Sequence, residues 1–227
     1  RVLRVCYLIA VRGLPEVPVV YSVCRNIEVK ITRVDVFIET RGIVMSVRKS
    51  TDSLALARDP IISRYRPFAK KYGKKPTIRV YPEVLIKRIL TAGTIPHYNS
   101  ILDIVNAVSA LTKVPISSID IDRVEFPLKL VYLTKDTTVR DFRGRSVYVA
   151  RGTIVLEEGS GRIVYVFPYT TTDIATTNTS TKNAIFIGYG APGVPITLVT
   201  SSIKMVTTRI ENFMRGSTCS QPEINAG

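Results

Sequence analysis

Tryptophan is absent from this chain, histidine occurs once, at His97, and glutamine once, at Gln221. One histidine excludes a histidine cluster for metal and a two-histidine acid–base pair, and any serine-type triad would have to use His97 itself. The three cysteines, Cys6, Cys24 and Cys219, include no C-x-x-C pair and form an odd count. Neither a zinc site nor a disulfide framework is indicated, and the cytoplasm is the expected compartment. Scarce glutamine beside abundant Lys and Arg is a thermophile-like composition, a setting in which Cys6 and Cys24 could pair even inside a cell. Apolar runs fall short of the ~18 residues that a helical membrane span needs, so no membrane partner is expected. The opening, Arg1 to Val11, has the charged start and apolar stretch of a signal peptide, but no small-residue cleavage site follows and it reads as a β-strand. Acidic residues are in deficit: 18 Asp and Glu against 32 Lys and Arg leave a formal charge of +14, which points to polyanionic partners.

What is present is a chain of 227 residues, 45% hydrophobic and 22% charged, enough for one large globular domain. The positive charge is concentrated. Between Arg64 and Arg88 stand nine basic residues, Arg64, Arg66, Lys70, Lys71, Lys74, Lys75, Arg79, Lys87 and Arg88, against the single acid Glu83. Such focusing favours a phosphate-binding face, and these nine are the nucleic-acid-binding candidates. Tyr65, Tyr72, Tyr81 and Tyr98 interleave the region and could either stack on unpaired bases or pack in the core.

Residues 2–11, 17–24 and 28–38 are rich in Val, Ile and Tyr and read as strands. Helical character begins at Ser53, with Asp59-Pro60 as a start and Gly73 as a stop. Pro82 to Ala92 is bracketed by proline and Gly93, and Ser100 to Thr112 carries apolar residues at helical spacing. Strands return at 128–133, 146–150, 153–156, 162–167 and 184–187, followed by an amphipathic helix whose Ile196, Val199, Ile203, Val206, Ile210 and Phe213 step by three or four. The expected fold is α+β, a single domain of mixed or antiparallel sheet with helices packed on one face. Residues 1–57 form a strand-rich N-terminal lobe, 58–216 the main unit, and 217–227 a polar, frayed tail.

On the helix from Ser100, Asn99, Asp103, Asn106 and Ser109 share one stripe. Such a stripe either presents amide and carboxylate groups to a ligand or turns to water, and Asn99 or Ser100 also suits the N-cap. The spacing continues: Pro96, Asn99, Asp103, Asn106, Pro115 and Asp120 stand in an order that resembles the central motif of the tRNA-binding and editing domain of the phenylalanyl-tRNA synthetase beta subunit, in the form that also occurs as a free-standing protein. Arg64 to Gly73 with Pro76 resembles that family's entry helix, and Asp173 with Thr181 to Ile187 its closing strand. The resemblance covers about residues 58–190 and implies tRNA or aminoacyl-tRNA as partner, with a synthetase as a further possible partner. Asn99, Asp103, Asn106, Ser109 and Asp120 are the implied substrate-binding residues.

Two departures bear on chemistry. Where bacterial editing domains of this family carry a His eleven residues after the Asn matched by Asn106, this chain has Ser117, followed by Ser118. Where they carry a Glu six residues after the Thr matched by Thr181, it has Ile187. A binding module therefore ranks ahead of a trans-acting hydrolase that deacylates mischarged tRNA, and a synthetase-attached interaction module ranks third. The catalytic candidates, should hydrolysis occur, are Ser117, Ser118 and His97. Asp120 and Asp122 could hold Mg²⁺ through water, although Asp before a strand is more often turn chemistry, and Gly188 to Gly193 lacks the Lys-Ser/Thr of a phosphate loop. No cofactor and no metal site is expected.

Overall fold

The structure, a computed structural model, describes residues 10–70 and 78–227. Cys6, Tyr72, Gly73, Lys71, Lys74 and Lys75 lie outside the described residues, as does nearly all of the expected first strand. In chain order the elements are β1 (Val11–Arg12), β2 (Val19–Arg25), α1 (Val34–Ser50), α2 (Ser53–Ala57), α3 (Pro60–Ala69), α4 (Tyr81–Ala92), α5 (Ser100–Thr112), β3 (Ile116–Asp120), β4 (Leu128–Tyr132), β5 (Thr137–Arg140), β6 (Ser146–Val149), β7 (Ile154–Glu157), β8 (Ile163–Val166), β9 (Thr170–Thr171), β10 (Ala184–Tyr189), α6 (Ile196–Phe213), β11 (Thr218–Cys219) and β12 (Glu223–Asn225). They form a single α+β domain. One sheet runs β1-β4-β7-β8-β9, with β1 parallel to β4; a second runs β11-β2-β10-β3 with β12 also on β2; β5 and β6 make a hairpin.

Helices α5 and α6 pack on the second sheet and on each other. Gly188 in β10 permits the close approach of α6, because a Cβ there would meet Val199 at 2.9 Å and Ile203 at 3.1 Å. The two sheets are joined through aromatic rings: Tyr165 of β8 stacks on Tyr189 of β10 at 4.5 Å. Tyr65, fully buried, donates its hydroxyl to the Tyr189 carbonyl at 2.8 Å, so it is a core tyrosine and not a base-stacking one.

Three expectations are corrected. The strand expected over 28–38 is a loop that enters α1 at Val34. The β-branched run misleads there because the burial that counts, at Val36, Thr40, Ile43, Val44 and Val47, has helical period and packs on α5. The tail is not frayed: β11 and β12 pair antiparallel with β2. Cys24 is bonded to Cys219, its cross-strand neighbour on β11, rather than to Cys6. Residues 10–57 contribute β2 and α1 to the same core as the rest.

Candidate functional site

The stripe on α5 is a buried seam. Asn99, Asp103, Asn106 and Ser109 are all buried, which sets aside the water-facing one of the two alternatives the stripe offered. Asn99 caps the helix, its side-chain oxygen accepting from the N–H groups of Ile101 and Leu102 at 3.1 and 2.9 Å, while its amide donates to the Thr177 carbonyl at 3.3 Å. Ser109 donates to the Val114 carbonyl at 2.6 Å and closes the helix end. Asp120 accepts from Thr181 Oγ1 at 2.7 Å and from the Asp122 N–H at 3.0 Å, which engages both its carboxylate oxygens. Ser117 shares a 2.7 Å hydrogen bond with Tyr189 Oη.

Asn106 and Ser118 instead border an aromatic recess with Tyr81, Tyr98, Phe142 and Tyr169. Its free volume is about 30 Å³, room for about two waters. Two buried hydroxyls here, Tyr81 Oη and Thr176 Oγ1, have no hydrogen bond of good geometry among the described residues. Burial pushes the Tyr81 phenol up to about 12, which the Arg143 charge and the nearby Asn106 amide only partly offset. Ser118 leans on Thr177 Oγ1 at 3.1 Å. The β5–β6 turn forms one side of the recess: Phe142 meets Tyr98 edge-on at 5.0 Å, and the Arg143 guanidinium lies over both rings at 4.9 and 5.1 Å. Asp141 anchors that turn through Arg145 at 2.6 Å.

On the other side of Tyr98, His97 faces a groove between α1 and the 93–97 loop, with a free volume of about 50 Å³. Its Nδ1 lies 2.5 Å from Asp103 Oδ2 and its Nε2 3.1 Å from Thr32 Oγ1. Asp103 Oδ1 accepts the Tyr98 N–H at 3.0 Å. Burial raises the Asp103 carboxyl to about 6, against the downward pull of His97. Sequence reasoning missed Thr32, Phe142 and Thr176, each brought in from a distant loop; only the Thr-rich run 170–181 carried a signal.

The described cations divide. Arg64, Lys70, Arg79 and Arg88 are exposed. Arg66 is a structural tie, donating to the Leu56 and Ala57 carbonyls at 3.0 and 2.7 Å and pairing with Glu83 at 3.3 Å. Lys87 pairs with the same Glu83 at 2.8 Å, so the one acid of the segment holds two of its cations. Lys70 borders a broad cleft with Phe68, Tyr132 and Arg151. Among the described residues no three His, Cys, Asp or Glu gather as metal ligands, and no helix is long and apolar enough to cross a membrane.

Known proteins supply the family. The chain is similar to an N-terminal fragment of the phenylalanyl-tRNA synthetase beta subunit from Pyrococcus horikoshii, at 12% identity over 88% of this chain and 46% of that one, with a TM-score of 0.46. It thus spans less than half of that fragment. A weaker likeness, TM-score 0.30 at 18% identity, links 34% of the chain to 70% of a TILS C-terminal domain. No curated protein matches. Residues 64–224 match the model of the B3/4 domain, so the chain belongs to the B3/4 domain family and is a relative of the synthetase beta-subunit domain that its motifs resemble.

Proposed function

We propose that this domain binds the acceptor end of tRNA or aminoacyl-tRNA, seating the terminal group in the aromatic recess and holding phosphates with the exposed cations. The recess carries the reading: two buried hydroxyls that find no well-formed hydrogen bond among the described residues, Tyr81 Oη and Thr176 Oγ1, stand beside Asn106 among aromatic rings. An unpaired buried hydroxyl costs about 1–3 kcal/mol, a cost that a polar ligand group would remove. With room for only about two waters, the recess admits a ligand when the Phe142–Arg143 turn swings away.

Binding ranks above deacylation on the chemistry of the walls. Among the described residues lining the recess none is His, Asp, Glu or Lys, and Ser117, at the family's His position, is engaged with Tyr189. A deacylase here would have to draw on the tRNA's own ribose hydroxyl. Attachment to a synthetase without RNA contact is the remaining alternative.

The test is a salt titration of tRNA binding. Affinity should fall steeply with salt, and replacing Arg64, Lys70, Arg79 and Arg88 by Ala should lower the slope by about one for each phosphate no longer held. Tyr81→Phe with Thr176→Val should weaken aminoacyl-tRNA more than uncharged tRNA. Absence of tRNA binding at low salt would sink the proposal and leave the interaction module.

A further inference from the structure

Thr32, His97 and Asp103 form a continuous hydrogen-bonded chain that the recess does not use, with Thr32 Oγ1 3.1 Å from His97 Nε2 and His97 Nδ1 2.5 Å from Asp103 Oδ2. We propose that this chain is a nucleophilic acyl-transfer site for carboxylic esters with short acyl groups, in which Thr32 attacks, His97 is the base and Asp103 orients the base.

The proton inventory supports those roles. An ionised carboxylate only accepts, so Asp103 Oδ2 calls for N–H at Nδ1 of a neutral imidazole, and Nε2 is then the lone-pair nitrogen. Nε2 faces a hydroxyl, whose proton it can take. Asp103 is a rigid anchor: its side chain is 8% exposed, and its other oxygen is held by the Tyr98 N–H. Thr32 is held from behind, because two residues earlier Lys30 makes a double tie to Ser100, which donates its N–H to the Lys30 carbonyl at 2.8 Å and accepts the Lys30 N–H on Oγ at 3.2 Å. The His97 side chain is 44% exposed, so a substrate can reach it.

The surroundings select the substrate. The groove that His97 and Asp103 line has apolar walls in Phe37, Val44 and Ile95, and its about 50 Å³ gives an acetyl-sized group room beside the His97 ring that Thr32 meets from the other nitrogen. Arg41, on the same wall, favours an ester whose leaving oxygen gathers negative charge as the C–O bond breaks. In the first step the bond from Thr32 Oγ1 to the acyl carbon forms, His97 Nε2 takes the hydroxyl proton, and the ester C–O bond breaks with the proton passing to the leaving oxygen. In the second, water attacks the acyl carbon, His97 again relays the proton, and the carboxylic acid leaves with the Thr32 hydroxyl restored.

The probe is p-nitrophenyl acetate with the full chain. An initial burst of p-nitrophenolate and an acetyl adduct on the peptide holding Thr32 are expected. Thr32→Ser should keep the burst, Thr32→Ala should abolish it, and His97→Ala should slow release about 10²-fold or more. Thr32 is exposed, so its replacement leaves the fold intact. Acetylation confined to lysines, or equal rates in wild type, Thr32→Ala and His97→Ala, overturns the proposal. Full activity in Thr32→Ala with loss only in His97→Ala removes Thr32 as nucleophile and overturns it as stated. Since Thr32→Ala leaves the aromatic recess untouched, this result and the tRNA result can fail separately.

Discussion

His97 and Tyr98 are consecutive, yet they open onto opposite kinds of cavity. On the Tyr98 side two buried hydroxyls, Tyr81 Oη and Thr176 Oγ1, make no hydrogen bond of good geometry among the described residues. On the His97 side the chain from Thr32 through His97 to Asp103 is complete. An incomplete set of hydrogen bonds raises the energy of the empty site and is relieved by a ligand, which is how a binding pocket looks before it is filled. A complete chain already holds the tautomer and orientation that proton transfer requires, and it needs nothing further from a ligand. One residue is shared: Asp103 gives Oδ2 to His97 and Oδ1 to the Tyr98 backbone, so a single carboxylate holds both neighbours in place.

Removing that carboxylate should have the largest effect. Asp103→Ala leaves the Tyr98 N–H and one imidazole nitrogen without their acceptor, at about 2–3 kcal/mol, and should lower Tm by about 5–10 °C in a domain of this size. Both the ester burst and aminoacyl-tRNA binding should suffer. If only one does, the cavities are independent and the comparison breaks. Proton linkage gives a milder version of the same test. The Asp103 carboxyl is raised from 3.8 to about 6 on folding, so the folded state binds its proton more tightly than the unfolded one. Its stabilising contribution is therefore fully present below about pH 4 and is lost as pH rises through about 6. Thermal melts between pH 4 and 7 should show this decline for the wild type relative to Asp103→Asn, which carries no such proton; parallel curves would contradict it.

Next in size is Asn106→Ala. A surface amide would cost under about 0.5 kcal/mol, whereas this buried one, beside the Tyr81 hydroxyl, should cost about 1–3 kcal/mol in denaturant unfolding. Tyr81→Phe should move the other way, leaving stability unchanged or up to about 1 kcal/mol higher while weakening aminoacyl-tRNA, because it deletes a hydroxyl that makes no hydrogen bond of good geometry among the described residues. A destabilised Tyr81→Phe would mean that the hydroxyl is already satisfied and that the recess is ordinary core.

These contrasts also mark what the sequence could show. Local chemistry was legible: Asn99 as a cap, Pro82 with Gly93 as brackets, and the periodic apolar residues of α5 and α6 all stand where sequence reasoning expected them. Burial was not. The period of Asn99, Asp103 and Asn106 placed them on one face without saying that the face meets the loop at Thr176–Thr177 rather than water. The basic count likewise could not reveal that Glu83 holds both Arg66 and Lys87. Thr32 meets His97 across 65 residues, a pairing that becomes visible only once α1 has packed on α5.

The smallest expected effect is the stability change in Thr32→Ala, and it sharpens the comparison most. Thr32 is exposed and among the described residues makes one side-chain bond, to an imidazole that is itself 44% exposed, so water replaces the lost partner and the cost should stay under about 0.5 kcal/mol. Denaturant unfolding of Thr32→Ala beside Asn106→Ala then separates two meanings of a hydrogen bond. At Asn106 a buried amide is removed and folding should register it. At Thr32 folding should register almost nothing while the burst with p-nitrophenyl acetate disappears. A loss above about 1 kcal/mol in Thr32→Ala would instead show that the hydroxyl ties the loop ahead of α1 to the turn at His97, and that the complete chain is there to hold the fold.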